Sequence, residues 1–182
     1  MIKIHATRLQ SLQLIYTLYT DSDFEEYKRQ AMDYEIMKYI SGKACNEEEA
    51  KQKWEMIMTA NTMHNVLGYY SVRRIEDNEV VGLAKLVYHG SERGSLEGKE
   101  NGLAEVGYSL FPEFWDKGYA TEITEYLTEF AKTFDDIKEV VGIIHPDNAA
   151  SKRILTKCGY TLFPTIQEEG KQPSEWYKIK LK

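Results

Sequence analysis

Residues 104–122, AEVGYSLFPEFWDKGYATE, read as a strand, a short loop and a helix start. Side chains alternate along a strand, so Ala104, Val106, Tyr108 and Leu110 share one face and Glu105, Gly107 and Ser109 the other. Pro112 ends the strand. In the first turn of the helix that follows, backbone N–H groups lack intrahelical partners and the positive end of the dipole favours anions. Gly118 lets the backbone approach a ligand closely, Ala120 removes bulk at the second contact position, Thr121 adds a hydroxyl and Lys117 a mobile positive charge. Together these are the means to hold a diphosphate, although a glycine at a helix start also serves plain turn and packing roles.

Two ordered blocks carry a family resemblance. Residues 105–110, EVGYSL, followed by residues 112–122, PEFWDKGYATE, resemble the acetyl-CoA motif of the RimJ/RimL-type branch of the GNAT N-acetyltransferases. Residues 148–160, NAASKRILTKCGY, resemble the same branch's N-x-x-S-x-R-x-L-x-K-x-G-F segment. A looser likeness at Leu14 to Asp23 and at Met37 to Ile40 extends it over nearly the whole chain. The resemblance implies the GNAT fold, one mixed, mainly antiparallel sheet flanked by helices, with acetyl-CoA in the cleft between two central strands. It implies cofactor contacts at Leu110, Phe111, Trp115, Asp116, Lys117, Gly118, Tyr119, Ala120, Thr121, Asn148 and Ser151. It further implies acetyl transfer to a primary amine, first of all a protein N-terminal α-amine. Acetylation of a polyamine, amino acid or aminoglycoside stands as the alternative, as does a sensor that binds acetyl-CoA without turnover.

The chain departs from the superfamily at two places. Trp115 takes the first position of the usual Q/R-x-x-G-x-G/A pyrophosphate motif, with Gly118 and Ala120 in the others, which leaves the binding to backbone amides. Leu155 stands seven residues after Asn148, where many members place a tyrosine that protonates the departing thiolate.

The implied reaction is direct attack of a neutral amine on the thioester. An α-amine, with a pKa of about 7.7 to 8.0, needs far less help to lose its proton than a lysine at about 10.4, so a weak base or a water chain suffices. Glu105 is the first candidate base and His145, at the end of the next strand, the second; Glu105 serves equally as a structural carboxylate paired within the sheet. The resemblance places the donors to the thioester oxygen in strand backbone, at the N–H groups around Leu110 or Phe111. Ser151 or an ordered water stabilises the thiolate, and Asn148 anchors the pantetheine arm while also suiting a helix N-cap. Cys158, at helical spacing from Ile154 and Leu155, reads as an apolar filler and not a nucleophile.

The elements that position these residues follow from pattern. Leu14, Tyr16 and Leu18 alternate before Asp21-Ser22-Asp23, a strand handing over to a capped helix. One helix is expected over Phe24 to Tyr39, stopped by Ser41-Gly42, and a second from an Asn46 cap with Glu47, Glu48 and Glu49 in its first turn and Trp54, Ile57 and Met58 facing inward. Val66 to Ile75 and Val80 to Tyr88 form a hairpin. Gly90 to Gly102, polar and aperiodic, reads as a mobile, solvated loop. A strand (Leu103 to Phe111), a helix to Phe134, a strand (Glu139 to His145), a helix (Ala149 to Lys157) and a hairpin of Tyr160 to Ile166 with Trp176 to Leu181 complete the order β-α-α-β-β-β-α-β-α-β-β. With one parallel pair, this is an α/β sandwich in a single domain over residues 1–182.

Composition removes other classes. The net charge of −6 over 182 residues comes without a Lys/Arg cluster, which argues against a nucleic-acid partner. No apolar run spans a bilayer, and Met1 to His5 lacks a signal-peptide core, so a cytoplasmic location with Cys45 and Cys158 reduced is expected. Four scattered histidines and two distant cysteines give no metal-ligand spacing, so no metal is expected. The expected partners are an amine-bearing peptide or small molecule, with a second copy of the chain left open.

Overall fold

Asp33 breaks the first helical stretch. In the computed structural model, which describes residues 8–165, 167 and 169–181, its side chain accepts from the N–H groups of Glu35 at 2.8 Å and Ile36 at 3.3 Å. The single helix expected over Phe24 to Tyr39 is therefore two, α1 (Phe24–Ala31) and α2 (Tyr34–Met37). A short acidic side chain competes here for the amides that would have continued the helix. The third helix, α3 (Glu47–Thr62), starts at Asn46 as expected. Asn46 Oδ1 accepts from the Glu49 N–H and Glu49 Oε2 from the Asn46 N–H, each at 2.9 Å, so two orphan donors are satisfied reciprocally. Trp54 of α3 packs on Tyr19, Phe24 and Tyr27 at ring-centroid distances of 5.2, 5.9 and 5.4 Å, which clamps α1 to α3.

The strands β1 (Leu9–Gln10), β2 (Leu14–Leu18), β3 (Gly68–Arg74), β4 (Val80–Tyr88), β5 (Leu103–Leu110), β6 (Glu139–Ile144), β7 (Thr161–Phe163) and β8 (Glu175–Lys180) form one open sheet in the order β1-β2-β3-β4-β5-β6-β8-β7. Pairing is antiparallel except between β5 and β6, which α5 (Tyr119–Ala131) connects. A strand-helix-strand crossover is what a parallel pair requires. The fold is thus the mixed α/β architecture expected, one mostly antiparallel sheet flanked by helices. Ile123, Leu127 and Ala131 of α5 are fully buried, as is Ala104 on β5. The other face of β5 looks toward α1, where the side chains of Ser109 and Gln30 hydrogen bond at 2.7 Å.

Residues 90–102 differ from expectation. Instead of a solvated loop they form a 3-10 turn at Ser91–Arg93 and a short helix, α4 (Glu97–Asn101). Ser91 is buried and its hydroxyl donates to the Tyr88 carbonyl at 2.6 Å, and a Cβ on Gly98 would stand 2.3 Å from the His89 carbonyl oxygen. The turn is held by burial of small residues, which leaves no hydrophobic periodicity to read. The last helix, α6 (Ala149–Lys157), runs as expected. The expected N-terminal stretch Met1 to His5 and the strand end at Ile166 lie outside the described residues. No helix among the described residues is long and apolar enough to cross a membrane.

Candidate active site

β5 and β6 pair only from Leu103↔Glu139 to Val106↔Gly142 and then part. Beyond that point β5 keeps its β4 partner, through Lys85↔Gly107, Ala84↔Tyr108 and Leu83↔Ser109 to Gly82↔Leu110, while β6 turns its other side to β8. Residues in an antiparallel strand direct their N–H and C=O groups alternately to the two sides. The Phe111 N–H goes to the Val81 carbonyl at 3.0 Å, so the backbone groups of Tyr108 and Leu110 face the gap. The Leu110 carbonyl there accepts from Trp115 Nε1 at 2.9 Å, leaving the Leu110 N–H and the Tyr108 N–H and carbonyl as a polar edge without a strand partner among the described residues.

Two cavities meet at this gap. The larger, of ≈ 730 Å³, lies between β5, the start of α5 and α6, and is lined by Leu110, Trp115, Asp116, Gly118, Tyr119, Ala120, Thr121, Asn148 and Ser151 among others. Gly118 sits at φ +82°, and a Cβ there would meet nothing within 4 Å, so it borders open space. The Glu122 N–H closes the first helical turn on the Gly118 carbonyl at 3.0 Å, which leaves the amides before it to an outside acceptor. A diphosphate fits such a cradle, and Arg153 and Lys157 of α6 supply positive charge beside it. The smaller cavity, of ≈ 360 Å³, lies on the α1 side, walled by Met37, Met56, Ile57, Ile143 and Pro173, with Tyr69, Lys85, Glu92 and Glu105 also lining it. Tyr39, Ile40, Tyr108 and Ser109 line both cavities.

Most of the expected cofactor residues come together, but Phe111 and Lys117 do not. The Phe111 amide is spent on Val81, and its ring is buried with the Arg29 guanidinium 4.9 Å from its centroid. Of the two expected donors, that leaves the Leu110 N–H on the free edge, beside the N–H of Tyr108. Lys117 extends over the Phe114 ring at 5.5 Å, outside the cavity lining. Asn148 caps α6, accepting from the Ser151 N–H at 3.1 Å, and borders the large cavity at the same time. Leu155, where a tyrosine was absent from the motif, is buried with its Cδ2 2.7 Å from the Cβ position of Gly142. It packs β6 and does no chemistry.

Both candidate bases are committed elsewhere. Glu105 Oε1 pairs with Lys85 Nζ at 2.5 Å and Oε2 with His89 Nδ1 at 3.0 Å, and the residue is 9% exposed. Burial alone would raise its pKa, but Lys85 and His89 outweigh it and hold the carboxyl at about 2. Held ionised between these two partners, Glu105 fits the structural reading given beside the catalytic one. His145 lines the small cavity, 5.8 Å from Tyr39 by ring centroids, yet its Nδ1 accepts from the Asp147 N–H at 3.1 Å, which occupies the lone pair a base would use.

Sequence reasoning missed the groups that complete this floor. Lys85 also reaches Glu92 Oε1 at 3.1 Å, and the Tyr69 hydroxyl donates to the same oxygen at 2.7 Å. Gly107 was the available signal: a Cβ there would press on Lys85 Cε at 3.0 Å, so the glycine lets the lysine lie across the strand. Tyr108 was assigned to the apolar face, but its hydroxyl donates to Ser151 Oγ at 3.0 Å. Among the described residues, no three His, Cys, Asp or Glu side chains converge as metal ligands.

Comparison with known proteins agrees with this geometry. The model of the acetyltransferase (GNAT) domain matches residues 13–161. An uncharacterized N-acetyltransferase, YoaA of Bacillus subtilis, is 24% identical over 164 residues, covering 89% of this chain and 84% of its own. The structure of RimL, a ribosomal alpha-N-protein acetyltransferase in complex with coenzyme A, superposes with a TM-score of 0.74 at 15% identity over 96% of this chain and 98% of that one. Spermidine N-acetyltransferase from Vibrio cholerae, in complex with coenzyme A and spermine, superposes with a TM-score of 0.71 at 16% identity over 93% and 96%. With a parted β5–β6 pair, a bare helix N-terminus and a family match over most of its length, the chain belongs to the GNAT acetyltransferase domain family.

Proposed function

We propose that this N-acetyltransferase moves the acetyl group of acetyl-CoA to a primary amine that enters the ≈ 360 Å³ cavity from the opposite side of the sheet. The observation that carries this reading is the meeting of the two cavities at Tyr39, Ile40, Tyr108 and Ser109, beside the unpartnered edge of β5. Acetyl-CoA supplies an activated thioester. The chain's own residues bind and orient: the amides at Gly118 to Thr121 receive the diphosphate, Leu110 N–H faces the carbonyl oxygen, and the Tyr108 carbonyl accepts from the incoming amine. With Glu105 held near a pKa of about 2, the amine enters as its free base or loses its proton to water.

The walls favour a compact acceptor. α1, α2, α3, the sheet and residues 172–174 bound the cavity, and the floor carboxylates Glu92 and Glu105 are both tied to Lys85. Such a site suits one amine on a largely apolar body better than a polycation needing several free acids. A protein N-terminal α-amine is the second reading, because Tyr39, Ile40 and Met56 form an apolar rim, 37%, 50% and 43% exposed, on which following residues of a peptide would lie.

Calorimetric titration with acetyl-CoA, beside a thiol-release assay over small amines and peptides beginning Ser, Ala or Met, tests both. Release with compact amines alone supports the first reading and release with peptides the second. Binding without turnover of any amine would mark a sensor, and failure to bind acetyl-CoA would refute the proposal.

A further inference from the structure

We propose that Tyr108 is a positioning residue for the departure of the thiolate: by donating its hydroxyl to Ser151 Oγ, it leaves the Ser151 proton free to be aimed at the coenzyme A sulfur. This rests on the reading that the ≈ 730 Å³ cavity holds the cofactor with its sulfur beside Ser151.

A serine hydroxyl has one proton and two lone pairs. Left alone in the first turn of a helix, it rotates among acceptors, including the carbonyl one turn back. Here Tyr108 Oη fills one lone pair of Ser151 Oγ at 3.0 Å, and the Ser151 N–H is held by Asn148 Oδ1 at 3.1 Å. The serine is 9% exposed, and among the described residues its hydroxyl donates to no other group. Its proton is thus directed to the remaining open side, which is the cavity it lines. The tyrosine comes from β5 and the serine from α6, so the bond crosses the gap at the point where the two cavities join. Burial raises the Tyr108 hydroxyl to about 12 despite the Ser151 hydrogen bond, so it remains a donor at neutral pH. Leu155 is packed on Gly142 and offers no alternative donor.

In the step assigned to this pair, the C–S bond breaks and its electron pair stays on sulfur. The Ser151 O–H donates a hydrogen bond to that sulfur and keeps its proton. The proton released by the amine leaves through water, so neither hydroxyl changes its ionisation state. The benefit is electrostatic, a charge-assisted hydrogen bond to a developing anion.

The test titrates the thiol of coenzyme A bound to the wild-type protein, Tyr108→Phe, Ser151→Ala and the double variant, following thiolate absorbance in the ultraviolet. Coenzyme A affinity measured at low pH, where the thiol is protonated in every complex, checks that each variant is folded and loaded. The bound thiol should ionise at lower pH in the wild type than in either single variant, and Tyr108→Phe should add nothing once Ser151 is Ala. With an acceptor found in the thiol-release panel, Tyr108→Phe should lower kcat roughly three- to tenfold, the worth of one hydrogen bond, with KM for the amine unchanged. A thiol pKa that moves with Ser151→Ala but not with Tyr108→Phe overturns the role of Tyr108 alone. One that moves with neither overturns the Ser151 reading beneath it, and equal effects of Tyr108→Phe in both backgrounds show a merely structural tyrosine.

Discussion

Lys85 Nζ and Glu105 Oε1 meet at 2.5 Å across adjacent strands, both side chains nearly buried beneath the ≈ 360 Å³ cavity. The lysine sits opposite Gly107 in register, so the pair is a diagonal one between neighbouring strands. This contact makes the most conspicuous acid of the motif part of a charged floor shared with Glu92, Tyr69 and His89.

Glu105→Gln should change acid stability more than the chemistry. The folded carboxyl lies at about 2, below its unfolded value of about 4.3. Its stabilising contribution is therefore complete above the unfolded pKa and is lost as the pH falls through the folded one. The difference in urea midpoint between wild type and Glu105→Gln should shrink steadily as the pH is lowered from 6 towards about 2. A constant difference over that range would contradict the pairing.

Activity should track the acceptor and not an enzyme carboxylate. For kcat/KM, the rising limb should follow the ionisation of the amine itself, about 7.7 to 8.0 for an α-amine and near 10.4 for an alkylamine. Comparing two acceptors of different basicity decides it: a limb that stays in place when the amine is exchanged would reinstate a protein base.

Lys85→Met leaves Glu92 and Glu105 facing each other without their shared cation. Removing one partner from a buried pair costs about 3–5 kcal/mol, and mild acid should restore part of that loss by protonating a carboxylate. Urea unfolding at two pH values measures both effects, and a loss under about 1 kcal/mol would show that the floor relaxes to water.

Gly118→Ala introduces a side chain at φ +82°, a left-handed conformation that costs about 1–2 kcal/mol outside glycine. Because the added methyl meets no protein atom, the cost should be conformational in the free protein, and the methyl should crowd a bound diphosphate. Thermal unfolding and calorimetry with coenzyme A separate the two, and unchanged affinity would place the diphosphate elsewhere.

His64 should make the fold sensitive to mild acid. Its Nδ1 accepts from the Val66 and Leu67 N–H groups, both at 3.1 Å, and its ring packs between Tyr88 and Phe134. Burial lowers its pKa, so the unfolded chain binds the extra proton first and stability falls as the pH drops below about 6.5. His64→Gln should flatten that dependence in denaturant titrations between about pH 7 and 5.5; an unaltered slope would assign it to other groups.

Local pattern determined most of the frame. Asn46 with Glu49, the β-rich run from Val80 to Tyr88 and the apolar stripe of α5 each act over a few residues, so the chain states them directly. The helix start after Gly118 and the cap at Asn148 were legible for the same reason, since a helix start presents its own amides. Asp33 was readable too, as a cap that ends one helix and begins another, but the hydrophobic spacing on either side masked it.

What only tertiary structure decided is which polar side chains face one another. Lys85 meets Glu105 and Glu92 because β4, β5 and the turn after β4 converge on one point, and Tyr108 meets Ser151 because α6 returns beside the parted edge of β5. Charge and proton affinity depend on neighbours within a few ångströms, whatever their separation along the chain. The sequence by itself therefore determined the family and the fold, whereas the partners of Glu105 and Tyr108 were set by contacts that packing alone creates.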